Sequence, residues 1–319
     1  MVDLMLFIVA LKSLNQIFTV YKKDNIRVQF LGVLLIFCLK SFISVGQGIG
    51  DEKLLNTIQS NISAGYLTKA SEENDKLKQQ NPSPSSFYNK MSKLLSVRIS
   101  GLGGDYKSMH ELLNEVDRND DDPIIQFYWK DYFARYCLES DKFKIGVDAL
   151  QESIELANSI GSNIRIDIQK HISELYIIYY TENIERKLSE GKKVPDRVQD
   201  IFDYLDKNKY RMEPFEKRFL YSYKLFFTDP NDMVAVRSIS EMNIAFGNEY
   251  DQPISVILGK MNLATYEKDM DVLTAEKYLL EAEEKSRSIE SLLYRLMPLY
   301  ELMVHYKNRG QYQKAVECG

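Results

Sequence analysis

The chain reads as all-α, an array of antiparallel helix pairs (an α-solenoid), and three observations carry that reading. Phe226, Tyr266 and Tyr306 lie forty residues apart, and each is followed nine residues later by an alanine, Ala235, Ala275 and Ala315. A fixed period in this range means that one supersecondary unit is stacked, rather than one globular core being built. Gly (15) and Pro (8) are scarce in 319 residues, so long helices joined by short turns are expected. Tyr is abundant at 21, and its large amphipathic ring fills the gap between helix pairs while leaving a hydroxyl at the rim.

The first segment stands apart. Residues 28–39 read VQFLGVLLIFCL, follow Lys22, Lys23 and Arg27, and stop at Lys40. Twelve apolar residues are too few for a helix that crosses a bilayer, which needs about twenty. Basic residues, a short apolar run, and the small residues Ser44 and Gly46 together make the three zones of a secretory signal cut after Gly46. Export is the expectation for 1–46; a membrane anchor, a buried first helix, or a hairpin with the upstream stretch Leu4 to Leu11 are the alternatives.

From Asp51 to Gln80 the apolar positions Leu54, Leu55, Ile58, Ile62 and Tyr66 follow a helical period in one continuous run. Two prolines in 81–86 end it and offer capping serines. Phe87 to Ile99 and Tyr106 to Val116 are the arms of a pair turned by GLGG at 101–104. The segment 117–123, DRNDDDP, starts like a calcium loop but has Asp122 where that loop needs Gly and Tyr128 where it needs Glu, so it predicts an acidic turn. Ile124 to Leu138 carries a dense aromatic cluster, expected as core. Its partner, Phe143 to Ile160, has Gly146, Ser153 and Ala157 spaced for close approach. Ile164 to Tyr180 is apolar on a wide face, 189–197 is a polar connection, and Val198 to Leu205 resumes a helix. From Pro214, well placed in a first helical turn, pairs run 214–228 with 232–246, 253–268 with 272–288, and 292–308 with 312 onward. The domain reading is 1–46, then divergent helical repeats in 47–212, then clearer repeats in 213–319, of which the last is incomplete.

Composition narrows function. A net charge of −5 with no long basic block gives no electrostatic footprint for nucleic acid. Three cysteines, Cys38, Cys137 and Cys318, and three histidines are too scattered for a disulfide framework or a metal site. Neither a phosphate loop nor a nucleophile elbow is present, and Gly101 to Tyr106 lacks the third Gly of a dinucleotide fingerprint. The chain is expected to hold no cofactor and to catalyse nothing.

The segment Tyr306 to Ala315, YKNRGQYQKA, resembles the tetratricopeptide repeat. In that family an aromatic near the end of the first helix, a Gly at the turn and a small residue early in the second helix serve close packing. Those are Tyr306, Gly310 and Ala315 here; Tyr266 and Ala275 repeat the pattern with Met270 at the turn, and Phe226 with Ala235 more loosely. The resemblance implies a right-handed superhelical array of antiparallel helix pairs. It also implies a concave groove lined by first helices, whose candidates are Lys217 and Lys224; Lys260, Ala264 and Lys268; and Tyr300, Val304, Lys307 and Asn308. The implied partner is a protein or peptide, the lysines holding acidic groups on it. Arrays of this kind resemble the sensor part of bacterial regulators, so a non-catalytic, exported binding scaffold is the leading expectation. A membrane-anchored kinase or helix-turn-helix regulator fragment and a cytoplasmic peptide-responsive regulator are the alternatives.

Overall fold

The computed structural model describes residues 48–140, 142–185, 196–229, 231–266 and 272–318. Residues 1–46, with the expected signal and Cys38, and the positions Lys268 and Met270 lie outside the described residues. Residues 54–319 form one compact unit. Among the described residues there is no strand, and fourteen α-helices make seven pairs. The first pair is α1 (48–64) and α2 (Leu67–Gln80); α3 (Phe87–Leu102) and α4 (Tyr106–Leu113) form the second. Next come α5 (Pro123–Glu139) with α6 (Phe143–Ser159), and α7 (Ile164–Glu185) with α8 (Asp196–Lys207). The last three are α9 (Pro214–Phe227) with α10 (Met233–Glu249), α11 (Pro253–Tyr266) with α12 (Val272–Ser286), and α13 (Leu292–Lys307) with α14 (Tyr312–Glu317).

Local chemistry sets these boundaries. Ser86 accepts from the Asn89 amide at 3.2 Å, Asp105 from Ser108 at 3.0 Å, Asp122 from Ile124 at 2.9 Å and Asp232 from Ala235 at 3.0 Å, each satisfying an amide that has no partner within the helix. Pro123 and Pro214 occupy first-turn positions, where a missing N–H costs nothing. In the acidic turn, the Asp120 carboxylate is engaged by Lys90 at 2.7 Å while Asp122 caps α5. Gly310 takes φ +68° at the α13–α14 turn, a conformation that favours glycine.

The expected single helix from Asp51 to Gln80 is two helices. Gly65 adopts φ +88°, which breaks the run and turns the segment into the first pair of the array. The break is held from far along the chain, because the Gly65 carbonyl accepts from the Glu290 amide at 2.8 Å and the Glu290 carboxylate accepts from the Thr68 amide at 2.5 Å. Tyr66 donates to Asp251 at 2.9 Å; burial and this carboxylate push its phenol up to about 12. The first pair therefore meets the turns that flank α11 and α12, and within residues 54–319 the array closes on itself.

Second helices share one packing stripe. Gly146, Leu150, Ser153 and Ala157 on α6 are buried, as are Val236, Ser240, Asn243 and Gly247 on α10, and Ala275, Leu279, Ala282 and Ser286 on α12. Each set steps by four, three and four residues, one face of a helix. Small residues dominate it because a first helix crosses there, α5 at Gly146 and α11 at Gly247, and a methyl or less lets two helices close to about 8–10 Å.

Candidate functional site

First helices carry a second register that faces inward. Ile62, Arg98, Arg135, Tyr176, Phe215, Ile254 and Leu293 come one from each of α1, α3, α5, α7, α9, α11 and α13, and all line a single cavity of about 370 Å³. The last four are spaced by 39 residues each. Four residues after members of this series stand Leu102, Glu139, Tyr180, Phe219 and Met297, one turn along the same faces, and they line the cavity too. The wall changes character along the array: guanidiniums on α3, α5 and α9, carboxylates on α5, tyrosines on α5, α7, α9 and α13, and aliphatic and Phe side chains concentrated from α9 to α13.

The charged groups are held tightly. Arg135 Nε lies 2.8 Å from Asp131 Oδ2, both side chains being 8% exposed, and Ser173 donates to Asp131 Oδ1 at 2.9 Å. The Arg135 guanidinium sits 4.4 Å from the Tyr176 ring centroid. Burial works against its charge, but the Asp131 carboxylate outweighs burial and holds its pKa above the ordinary value. Arg98 Nη1 stands 3.8 Å from Glu139 Oε1, too far for a hydrogen bond, and that nitrogen is buried without a hydrogen-bond partner. Arg218 Nε donates to Ser63 Oγ at 2.6 Å, and its guanidinium lies 4.2 Å from the Phe219 centroid and 5.8 Å from that of Tyr294. Burial pushes the Tyr132 phenol up to about 12 and also raises Tyr128, Tyr176, Tyr180 and Tyr223, so the cavity presents neutral hydroxyls at physiological pH.

A clamp outside the charged wall fixes α7 against α9. Arg165 reaches Glu213 at 2.6 Å and Glu216 at 2.9 Å, and the cavity residue Gln169 donates to Glu216 at 3.1 Å. Burial pushes the Glu216 carboxyl up, while the Glu213 amide and Arg165 pull it back down without fully offsetting that.

None of the described lysine candidates is among the side chains that line the cavity. Lys224 pairs with Asp206 of α8 at 2.5 Å, Lys260 pairs with Glu281 of α12, and Lys217 lies 5.5 Å from the Tyr250 centroid beside α10. All three point at second helices. Lys307 and Asn308 are exposed at the end of α13. Tyr300, 60% exposed, follows Met297 by three residues and so extends the Leu293–Met297 stripe beyond the cavity.

Among the packing candidates, Ala275, Tyr306 and Ala315 are buried, and Tyr306 donates to Glu276 at 2.9 Å. Ala235 is half-buried; the stripe position on α10 is its neighbour Val236. Tyr266 ends α11, and its side chain is outside the described set. Phe226 faces the cavity and stacks on Tyr179 with centroids 4.9 Å apart. The aromatic cluster of α5 also divides: Phe127 is core, whereas Tyr128 and Tyr132 line the cavity. Sequence reasoning passed over Arg98, Arg135 and Arg218 with the tyrosines; Arg98 and Arg135 precede Tyr176 by uneven steps of 37 and 41 residues, whereas Tyr176, Phe215, Ile254 and Leu293 carry a regular 39-residue step in plain view.

Among the described residues no helix is long and apolar enough to cross a membrane. No protein-family model and no curated protein matches the chain. Several solved structures are similar in fold. One is NprR in complex with its cognate peptide NprX, with a TM-score of 0.53 at 13% identity, over 85% of this chain and 76% of that one. Another is a Rap protein complexed with competence and sporulation factor, with a TM-score of 0.57 at 13% identity, over 84% of this chain and 74% of that one. At that identity the likeness establishes architecture: the chain has the all-helical, tetratricopeptide-like solenoid fold of these two structures.

Proposed function

We propose that the chain is a non-catalytic peptide-binding scaffold whose ligand, a short extended segment, lies in the cavity along the series from Ile62 to Leu293. The observation that carries this reading is that each described first helix contributes at least one side chain to the same cavity. Its volume falls at the lower end of the range of about 300–1,000 Å³ typical of small-ligand sites, which suits a few residues of extended chain and not a helix. One protein of similar fold was solved with its cognate peptide, NprX, and another with competence and sporulation factor. In this reading the chain is the sensor part of a signalling or transcription regulator, and peptide occupancy is the signal.

The test is affinity selection from a synthetic pentapeptide library with free ends, read by mass spectrometry. The double variant Phe226→Ala/Leu293→Ala removes two apolar cavity side chains that are 40% and 59% exposed, so the fold should tolerate it. Its retention of library members should fall about tenfold or more, from the lost apolar contact. Equal retention by both proteins places the ligand elsewhere.

Export of the scaffold, read from residues 1–46, is a separate part of the proposal. Expressed with its own amino terminus in a secreting host, the protein should begin at Gln47 on amino-terminal sequencing of the exported fraction. Protein found only inside the cell and starting at Met1 rejects export.

A further inference from the structure

The cavity wall holds three guanidinium groups, of Arg98, Arg135 and Arg218, against two carboxylates, of Asp131 and Glu139. Asp131 is taken by Arg135, and Glu139 stands at ion-pair distance from Arg98. Arg218 is left. Among the described residues no carboxylate lies within ion-pair distance of it, and its recorded partners are the Ser63 hydroxyl and the rings of Phe219 and Tyr294. It is nonetheless only 4% exposed. A guanidinium withdrawn from water without a counter-ion is unfavourable, so an anion beside Arg218 would be stabilising.

A second observation falls on the same helix face. Ser222, four residues on from Arg218 and also 4% exposed, has its hydroxyl oxygen buried with no hydrogen-bond partner and lines the cavity. Residues four apart on a helix stand side by side. One planar, fork-shaped cation and one free hydroxyl donor are thus adjacent in a pocket also lined by Phe215, Phe219, Phe226 and Tyr223. A carboxylate satisfies both groups at once, since it accepts two parallel N–H bonds from guanidinium and has lone pairs left for a hydroxyl.

We propose that Arg218 and Ser222 are the anchor for a carboxylate of the bound peptide, with the apolar side chain next to that carboxylate lying among Phe215, Phe219 and Phe226. The inference rests on the peptide reading of the cavity and adds the chemistry by which one end of the ligand is fixed. The carboxylate is either the peptide's own carboxyl terminus or an Asp or Glu side chain.

Three synthetic pentapeptide libraries separate these sources: one without Asp or Glu and with free carboxyl ends, the same library as carboxamides, and a carboxamide library that includes Asp and Glu. The intact chain should retain the first if the terminus is bound, or the third if a side chain is bound, and in either case not the second. Arg218→Gln should lower that retention by about tenfold or more, the worth of a hydrogen-bonded ion pair. Arg218→Lys, which keeps the charge and loses the fork, should restore part of it, and Ser222→Ala should give a smaller loss. Retention of the plain carboxamide library equal to that of the acids overturns the anchor while leaving the peptide reading intact, as does undiminished retention by Arg218→Gln. No retention of any library removes the peptide reading and the anchor with it. Should Arg218→Gln fail to fold by circular dichroism, the comparison of the three libraries on the unaltered chain decides alone.

Discussion

Asp131→Ala should lower the unfolding free energy by about 3–5 kcal/mol, because removing one partner of a buried ion pair leaves the other charge uncompensated. Arg135 would remain at the centre of the cavity wall, 8% exposed on its side chain, with no other acceptor recorded for it, and Ser173 would lose the carboxylate to which it donates. The Tyr176 ring beneath the guanidinium offers about 2 kcal/mol at most when desolvated, which does not replace an anion. Urea denaturation of the intact chain measures the loss. Asp131→Leu combined with Arg135→Met should recover most of it, since exchanging a buried pair for packed apolar groups is often neutral or stabilising. A loss under about 1 kcal/mol for the single variant would put the pair in the class of exposed ion pairs and contradict a dry wall at this point.

Gly259→Ala should destabilise the chain by about 1–3 kcal/mol, the cost of overpacking a fitted crossing. A Cβ at Gly259 would stand 2.7 Å from the Ser240 carbonyl oxygen and 2.8 Å from Ile244 Cγ1. The first of these is backbone and cannot step aside without moving α10. Gly247 answers it from the facing helix, where a Cβ would meet Val256 Cγ2 at 2.6 Å and the Val256 amide at 2.9 Å. Alanine is intrinsically the better helix former by about 1 kcal/mol, so propensity alone predicts the opposite sign. Melting curves of the two proteins therefore discriminate directly: a Gly259→Ala variant that melts higher would show that α10 and α11 do not cross as closely as described.

Helix existence and pairing were legible in the sequence because each depends on neighbours within one turn. Pro214, Asp232, Ser86 and Asp122 start helices where their side chains and rings dictate, and the boundaries read for the last three pairs agree with those observed to within about three residues, apart from α11, whose end lies against the undescribed segment. Gly65 was not legible as a break. Its positive φ is held by Glu290 from across the closed array, and nothing within 51–80 announces that contact.

The inward-facing register repeats at a step close to, but not the same as, the one read from the helix ends. Phe226, Tyr266 and Tyr306 close their first helices and repeat at forty, whereas Tyr176, Phe215, Ile254 and Leu293 sit at the inward positions and repeat at 39. The groove positions implied by the tetratricopeptide resemblance include Lys217, Lys224 and Lys260, whose charged ends meet the second helices. Lys217 and Lys224 directly adjoin Arg218 and Tyr223 of the inner wall, and one residue is about 100° of rotation on an α-helix.

The sequence by itself determined that this protein is an all-helical array with aromatic and small residues at its crossings, because period, capping and propensity are local properties that survive without knowledge of the neighbours. Only the tertiary structure decided which face of each first helix looks inward, that the first pair meets the last ones, and that Arg98, Arg135 and Arg218 share a cavity with two carboxylates. Those facts depend on helix rotation and on contacts more than 150 residues apart, such as that between Arg218 and Ser63, and a repeat period specifies neither.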